Sequence, residues 1–166
     1  YLIKTDENGV EEWNKSFGGT EIDNGFSVQQ TTDGGYILCG LTGGTGNYTD
    51  VYLIKTDENG VEEWDKTFGG TEIDNGFSVQ QTTDGGYILC GFTGGTGNGT
   101  DVYLVKTDNS GNEQWTKTIG GTNEERGYHV QQTTDGGYII TGSTNLGFLV
   151  GDVYLIKTDE NGDVNP

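Results

Sequence analysis

The amino-acid sequence predicts an all-β protein built from repeated four-stranded antiparallel sheets. Three observations carry this prediction: a 51-residue repeat, short hairpin signals within each repeat, and a composition poor in helix formers. Ala and Met are absent from the 166 residues, whereas Gly occupies 31 positions. Because Ala and Met favour helices while the abundant Thr, Val, Ile and Tyr favour strands, a helical bundle is excluded and α/β folds are disfavoured.

The repeat is visible as aromatic residues that recur every 51 positions. They are Tyr1, Tyr52, Tyr103 and Tyr154, together with Trp13, Trp64 and Trp115. Residues 1–51 and 52–102 differ at only four positions, the copy at 103–153 diverges further, and a fourth copy begins at residue 154. Repeats of this length are typical of folds in which equal units stack on one another.

Each repeat is predicted to contain four strands, which the second copy shows most clearly. They are predicted at 50–55, 61–68, 76–82 and 87–92. Asn59-Gly60 is a two-residue hairpin signal between the first two strands, and Asp84-Gly85-Gly86 turns the third strand into the fourth. Because these turns are too short for crossover connections, the sheet must be antiparallel.

The segment from Val51 to Ile54 is apolar without alternation, which is typical of a strand buried on both faces. Small antiparallel sheets covered on both faces are found in β-propellers, because each blade lies between two neighbours. Four strands in about 50 residues also fits the length of a propeller blade. A β-solenoid is the alternative, although its coils are shorter and lack repeated two-residue hairpins.

Several motifs support a family resemblance. The segment K-T-D-E-N-G-V-E-E-W at 55–64 resembles the outer hairpin of quinoprotein-like blades, and Y-L-I-K-T-D followed by Trp is similar to the kelch pattern. The whole unit resembles the D-V-Y-L-I-K, G-G and Q-Q-T-D-G-G-Y-I blades of secreted and cell-surface bacterial and archaeal proteins. This resemblance implies that G-F-S-V-Q-Q-T is the innermost strand and the Trp strand the outermost. It also implies that Trp13, Trp64 and Trp115 each dock one blade on the next.

The resemblance divides the chain into blades. We expect the outer two strands of one blade at 1–17, whole blades at 25–68 and 76–119, and three strands of a further blade at 127–158. Three blades' worth cannot close a ring of about 4–8 blades. We therefore expect a partial ring completed by further blades or by copies of the chain itself. A start inside a strand and without Met is expected of a fragment or a mature segment.

The charge balance restricts the partners. Asp and Glu number 26 against eight Lys and Arg, which gives a formal net charge of −18. Nucleic acid is an unfavourable partner, because backbone phosphates require a basic surface. The sequence contains no run of 18 apolar residues, so membrane insertion is not expected.

Catalytic chemistry finds little support. His129 is the only histidine, and no nucleophile stands near it in the pattern of a catalytic triad. Almost every acid recurs in each blade, so the acids share similar environments, whereas a glycosidase needs two carboxyl groups with different pKa values. We expect no enzyme activity and no cofactor.

A weak calcium site is the one metal hypothesis that the sequence supports. The loop T-E-I-D-N-G at 20–25 and the end of the following Gly-rich loop are expected on the same side of the blade. Glu21, Asp23 and Asp50 are the candidate ligands, because calcium prefers several hard oxygen atoms. The alternative, that these are solvated loop charges, is favoured.

The third repeat breaks the symmetry. Its loop carries apolar residues where the other copies have small or polar ones, and Arg126 replaces an Asn nearby. The apolar residues are Leu146, Phe148, Leu149 and Val150. Exposed apolar surface often marks a contact site, so a contact with another blade, subunit or domain is one hypothesis. A second is that the loop folds onto its own blade and fills a gap, and a third is that it forms a small-molecule site.

Two functions follow as expectations. The first is a non-catalytic structural or adhesion module of an extracellular or cell-surface protein, which assembles with further blades, copies of itself or other surface proteins. The alternative is a glycan-binding propeller with one weak site in each blade, whose avidity comes from multivalency.

Overall fold

The computed structural model describes residues 1–43, 48–94, 99–145 and 151–164. Within these ranges the chain forms thirteen β-strands and no helix, and therefore no helix that crosses a membrane. The strands are β1 Leu2–Thr5, β2 Glu11–Lys15, β3 Asp23–Gln30, β4 Tyr36–Gly43, β5 Thr49–Thr56, β6 Glu62–Phe68, β7 Asp74–Gln81, β8 Tyr87–Gly94, β9 Thr100–Thr107, β10 Glu113–Ile119, β11 Glu124–Gln132, β12 Tyr138–Asn145 and β13 Gly151–Thr158.

These strands form four antiparallel sheets, which we name blades A to D in chain order. Blade A has the order β1-β2, blade B β3-β4-β5-β6, blade C β7-β8-β9-β10, and blade D β11-β12-β13. The prediction of an all-β fold of repeated four-stranded antiparallel blades is confirmed. The described residues form a partial propeller in which blades B and C are complete and the ring is not closed.

The inner strand of each blade starts earlier than the sequence predicts. Strand β7 begins at Asp74, two residues before the predicted start, because Asp74 and Asn75 pair with Thr93 and Phe92 of β8. The same ladder shifts register between Gly76 and Ser78. Polar Asp and Asn resemble loop residues in a sequence, which conceals this part of the strand.

The hairpin between the two outer strands is organised by its aspartate. In blade B, Asp57 accepts hydrogen bonds from the amides of Asn59 and Val61, both at 2.8 Å. Gly60 adopts a φ of 73°, which glycine tolerates better than other residues. The T-D-E-N-G segment is therefore a built turn that fixes how β6 returns along β5.

The core lies between the blades, not within them. One cluster of buried residues joins blade B, through Cys39 and Leu53, to blade C, through Val79 and Leu89. A second, equivalent cluster joins blade C to blade D. Strands β5 and β9 are each covered on both faces by neighbouring blades, which explains their unbroken apolar sequence.

The innermost strands are held together by side-chain hydrogen bonds to the backbone of the next blade. The backbone amide of Gln81 donates to the side-chain oxygen of Gln29 at 2.6 Å. The backbone amide of Thr32 donates to the side-chain oxygen of Gln81 at 2.9 Å. The same bonds recur one repeat later, between Gln132 and Gln80 and between Thr83 and Gln132. The repeated Gln-Gln pair therefore joins strands that belong to different sheets.

Each tryptophan of an outer strand packs on the following blade. The ring of Trp64 lies 5.9 Å from that of Tyr87, measured between centroids, and the Trp13 and Trp115 rings lie at similar distances from Tyr36 and Tyr138. A Cβ atom at Gly111 would come within 2.6 Å of the Trp64 ring. Gly111, four residues before Trp115, therefore leaves room for Trp64 of the preceding blade.

We predict that Trp64 stabilises the junction between blades B and C. Replacing Trp64 by Ala should lower the free energy of unfolding by about 3 kcal/mol, the lower end of the range for deleting a buried aromatic side chain, because the ring is only partly buried. Chemical denaturation measures this loss. Trp64→Phe is the control and should retain most of the stability, and an unchanged midpoint in Trp64→Ala would disprove the docking role.

Candidate functional site

A buried lysine joins three parts of one blade. The ammonium group of Lys55 donates to the carbonyl of Thr56 at 2.9 Å and forms ion pairs with Asp33 at 2.9 Å and Glu63 at 2.8 Å. Lys55 is buried on β5, Asp33 lies in the β3–β4 turn, and Glu63 lies on β6. The lysine therefore fixes the inner hairpin and the outer strand to the middle of the blade.

The same arrangement recurs in the next two repeats. Lys106 forms an ion pair with Asp84 at 2.9 Å and donates a hydrogen bond at 3.0 Å to the side-chain oxygen of Gln114, which stands where blade B has Glu63. Lys157 pairs with Asp135 at 3.0 Å. We name each such group a lysine clamp. Sequence reasoning missed it, although a charged residue that recurs at the end of an apolar run was a usable signal.

The lysine clamp also sets the ionisation of the turn aspartate. Hydrogen bonds from the Thr31 hydroxyl and the Lys55 ammonium lower the pKa of Asp33 to about 2. The Asp33 carboxylate additionally accepts a hydrogen bond from the Gly35 amide at 3.0 Å. The same carboxylate and lysine recur as Asp84–Lys106 and Asp135–Lys157.

Pairs of acidic residues from successive blades meet at each internal junction. Asp50 of blade B lies near Asp74 of blade C. Both carboxylates border Gly69, where a Cβ atom would come within 2.4 Å of the first and 2.6 Å of the second. Burial and the Asp74 charge raise the pKa of Asp50. Sequence comparison within one repeat cannot find this pair, since its members belong to different blades.

The calcium candidates are not assembled as the sequence predicts. Among the described residues, no group of three or more His, Cys, Asp or Glu side chains is suited to hold a metal ion, and Glu21, Asp23 and Asp50 form no such group. The carboxylate of Asp23 accepts a hydrogen bond from the Gly19 amide at 2.9 Å. Asp50 instead faces Asp74 of the following blade, because β5 and β7 start side by side at the junction.

Arg126 lies at the junction between blades C and D. Its guanidinium carbon is 4.8 Å from the centre of the Phe92 ring, and its side chain also reaches Thr100 and Glu124. Phe92 and Thr100 belong to the preceding blade. The other proposed contact residues, Leu146, Phe148, Leu149 and Val150, lie outside the described residues.

A row of aromatic rings crosses the inner strands of blades B, C and D. The ring centroids of Phe26 and Phe77 are 5.3 Å apart, and those of Phe77 and Tyr128 are 5.6 Å apart. Phe26 and Tyr128 are each about half exposed. His129, beside Tyr128, is exposed and lies 3.1 Å from the Ser78 hydroxyl. The row was missed because each repeat contributes a single aromatic residue to it.

The two cysteines are buried in the inter-blade core. Burial raises the pKa of the Cys39 thiol to about 12, and burial together with the neighbouring Cys39 raises the pKa of the Cys90 thiol well above its ordinary value. Both thiols are free. A thiol of such high pKa is protonated at neutral pH and is a poor nucleophile.

Comparison with known proteins identifies the fold but not a family. No family model matches the chain, and no curated protein matches it. A crystal structure of a protein of unknown function from Bacteroides caccae is similar, with a TM-score of 0.61 and 9% sequence identity over 96% of this chain. The chain spans about half the length of that protein, since the match covers 50% of it.

We predict that the Asp33 clamp stabilises the fold at neutral pH and not in acid. The folded-state pKa of about 2 lies below the ordinary value of 3.8, so the stabilisation is present above about pH 4 and is lost as the pH falls toward 2. Asp33→Asn should lower the melting temperature at pH 7 and reduce its fall between about pH 4 and 2. Glu58→Gln, in an exposed turn, is the control, and equal pH profiles for the wild type and Asp33→Asn would contradict the prediction.

The Asp50–Asp74 pair should behave in the opposite way. Because the pKa of Asp50 is raised in the folded state, the fold loses stability as the pH rises through that pKa. Asp50→Asn should therefore raise the melting temperature at pH 7, and the gain should disappear in acid, where the wild-type carboxyl group is protonated. Glu7→Gln serves as an exposed control. A lower melting temperature in Asp50→Asn at pH 7 would show that the carboxylate is required.

Proposed function

We propose that the chain is a non-catalytic structural module with an adhesion role in an extracellular or cell-surface protein. The observation that carries this proposal is that polar side chains of the inner and middle strands are used in bonds that hold a blade together or join it to the next blade. The Gln29–Gln81 bonds and the Lys55 clamp both recur one repeat later. An active site needs groups in unlike environments, whereas these groups are alike from blade to blade.

The extracellular placement rests on the resemblance to blades of secreted and cell-surface proteins. The net charge of −18 is compatible with that placement, because like charge keeps exposed β-rich surfaces dispersed. In such a protein the chain would present loops from a rigid stack of sheets, and adhesion would come from many weak contacts.

Adhesion is tested by displaying the 166-residue chain on a non-adherent bacterium and measuring retention under flow on a layer of unmodified cells. We expect greater retention than for cells that display Gly35→Val. That control should misfold, because a Cβ atom at residue 35 would lie 2.1 Å from the Thr56 carbonyl oxygen. Equal retention of the two strains would overturn the adhesion role.

One observation favours the alternative, a module that binds glycans. The row formed by Phe26, Phe77 and Tyr128 presents exposed aromatic rings, and ring faces are a common platform for apolar faces of ligands. The hydroxyl of Tyr128 lies 3.2 Å from that of Ser143, which leaves polar groups beside the rings.

We predict that the aromatic row does not bind glycans reproducibly. When the chain is coupled to a tetravalent carrier and applied to a glycan array, no signal should depend on Phe26, so the wild type and Phe26→Ala should give the same result. Phe26 is half exposed, so this substitution should leave the fold intact, as circular dichroism would show. Reproducible hits that Phe26→Ala abolishes, and that the exposed control Val61→Ala retains, would replace adhesion by glycan binding.

A further inference from the structure

Equivalent residues of the repeat differ sharply in exposure, depending on whether a neighbouring blade covers them. Val79 and Val130 are 5% and 1% exposed, but the equivalent Val28 of blade B is 53% exposed. At the other end, Val153 of blade D is 89% exposed, whereas its counterpart Val51 is 2% exposed. The chain therefore has two uncovered blade faces, which are equivalent in the repeat to the faces that meet at its two internal interfaces.

The glycines show which atoms are missing from the uncovered face of blade B. A Cβ atom at Gly76 would lie 2.4 Å from the Cys39 sulfur and 2.8 Å from Val51, both in the preceding blade. The equivalent Gly25 has nothing within 4 Å. Blade A, with two outer strands, covers only the outer part of blade B, through Leu2 and its tryptophan. The inner part lacks counterparts of Cys39 and Val51.

Blade D carries those counterparts. Thr141 corresponds to Cys39 and Val153 to Val51, and both are exposed. They lie on β12 and β13, which stand beside each other with Thr141 opposite Leu155 in the ladder. The face that blade B lacks is therefore present, uncovered, at the other end of the same chain.

The strands at the two ends also match in sequence. Residues 1–9 and 154–162 are identical, so β1 and the end of β13 are the same strand of the blade. In blade A, Ile3 is 48% exposed, while the equivalent Ile156 is 4% exposed because blade C covers it. Gly9 has nothing within 4 Å, although its counterparts Gly60 and Gly162 each face a tryptophan of the preceding blade.

We propose that a second copy of the 166-residue chain covers these faces, so that blade A of one copy and blade D of the other form one complete blade. In this blade, β11, β12 and residues 151–153 come from one copy. Strand β1 of its partner takes the place that residues 154–158 occupy in the single chain, and β2 of the partner forms the outer strand. Two copies related by a two-fold axis then form a ring of six four-stranded blades. This proposal deepens the structural function proposed above by naming the partner.

Each junction is asymmetric, since the face around Val28 of one copy meets the face around Val153 of the other, and the two-fold axis repeats this junction on the opposite side of the ring. Its packing is that of the internal junctions, where Val79 and Val130 are buried. The charge of −18 on each copy opposes association over long distances, so the test uses about 0.15 M salt, at which the Debye length is about 8 Å.

The test measures the molar mass of the 166-residue chain in solution by light scattering. The wild type should have twice the chain mass of 17.8 kDa. Val28→Asp and Val153→Asp should each be monomeric, because each places a charge in one half of the contact. Val61→Asp is the matched control: Val61 is 55% exposed in a hairpin of blade B, and this variant should remain a dimer. A monomeric wild type, or dimers formed by both face variants, would overturn the proposal.

Mixing the two variants tests the orientation of the contact. A mixed dimer of Val28→Asp and Val153→Asp has one intact junction and a second junction that carries both charges, so mixing should give a dimer that is weaker than the wild type and that neither variant forms alone. If each face met its own copy instead, one of the two variants would remain dimeric by itself. That result would exclude the head-to-tail arrangement.

Ending the chain after Val153 tests the shared strand. In the proposed ring β1 replaces residues 154–158, so the shortened chain should still form a dimer with the wild-type melting temperature. A shortened chain that is monomeric or unfolded would overturn the exchange of strands. The flow assay and the light-scattering assay test the two proposals separately. Loss of retention on unmodified cells would count against adhesion, and it would not decide whether the chain forms a dimer in solution.

Discussion

The packing of one blade against the next is the interaction on which the rest of the structure depends. Each small sheet would expose two apolar faces if it stood alone, and the largest buried side chains, such as Leu53 and Leu104, lie between sheets. Burial of apolar surface is therefore a property of a pair of blades. This explains why β5 and β9 are apolar on both faces although the sheet is antiparallel. The interfaces between neighbouring blades therefore contribute more to the stability of the chain than the isolated blades do.

The polar groups inside the stack follow from the same constraint. A lysine at the end of β5 is tolerable only because Asp33, Glu63 and the Thr56 carbonyl surround its ammonium group. The lysine thereby ties the inner hairpin to the outer strand, which keeps the sheet a single rigid unit. The Gln side chains of the inner strands do the same between sheets. Apolar burial drives docking, and these bonds define its register.

The sequence predicts the parts of the fold that depend on one repeat, and it misses those that depend on two. The four strands, the Asn59-Gly60 hairpin and the antiparallel order follow from local patterns, so they could be predicted. The acidic pair at Asp50 and the aromatic row through Phe77 arise from residues about 25 and 51 positions apart in different sheets, and no periodicity within a blade shows them. The calcium hypothesis combined two loops of one blade, whereas β5 and β7 bring Asp50 to a residue of the next blade.

Identical sequence does not give identical environment in this chain. Val28, Val79 and Val130 occupy the same place in three blades, yet only the latter two are buried. A blade at the end of a stack therefore has the residues of an interior blade without the neighbour that makes those residues stabilising. In blade D, Val153 and Leu155 keep the identity of Val51 and Leu53 of blade B, although the first pair is exposed and the second is buried. The repeat itself therefore determines which surface a neighbouring blade must cover.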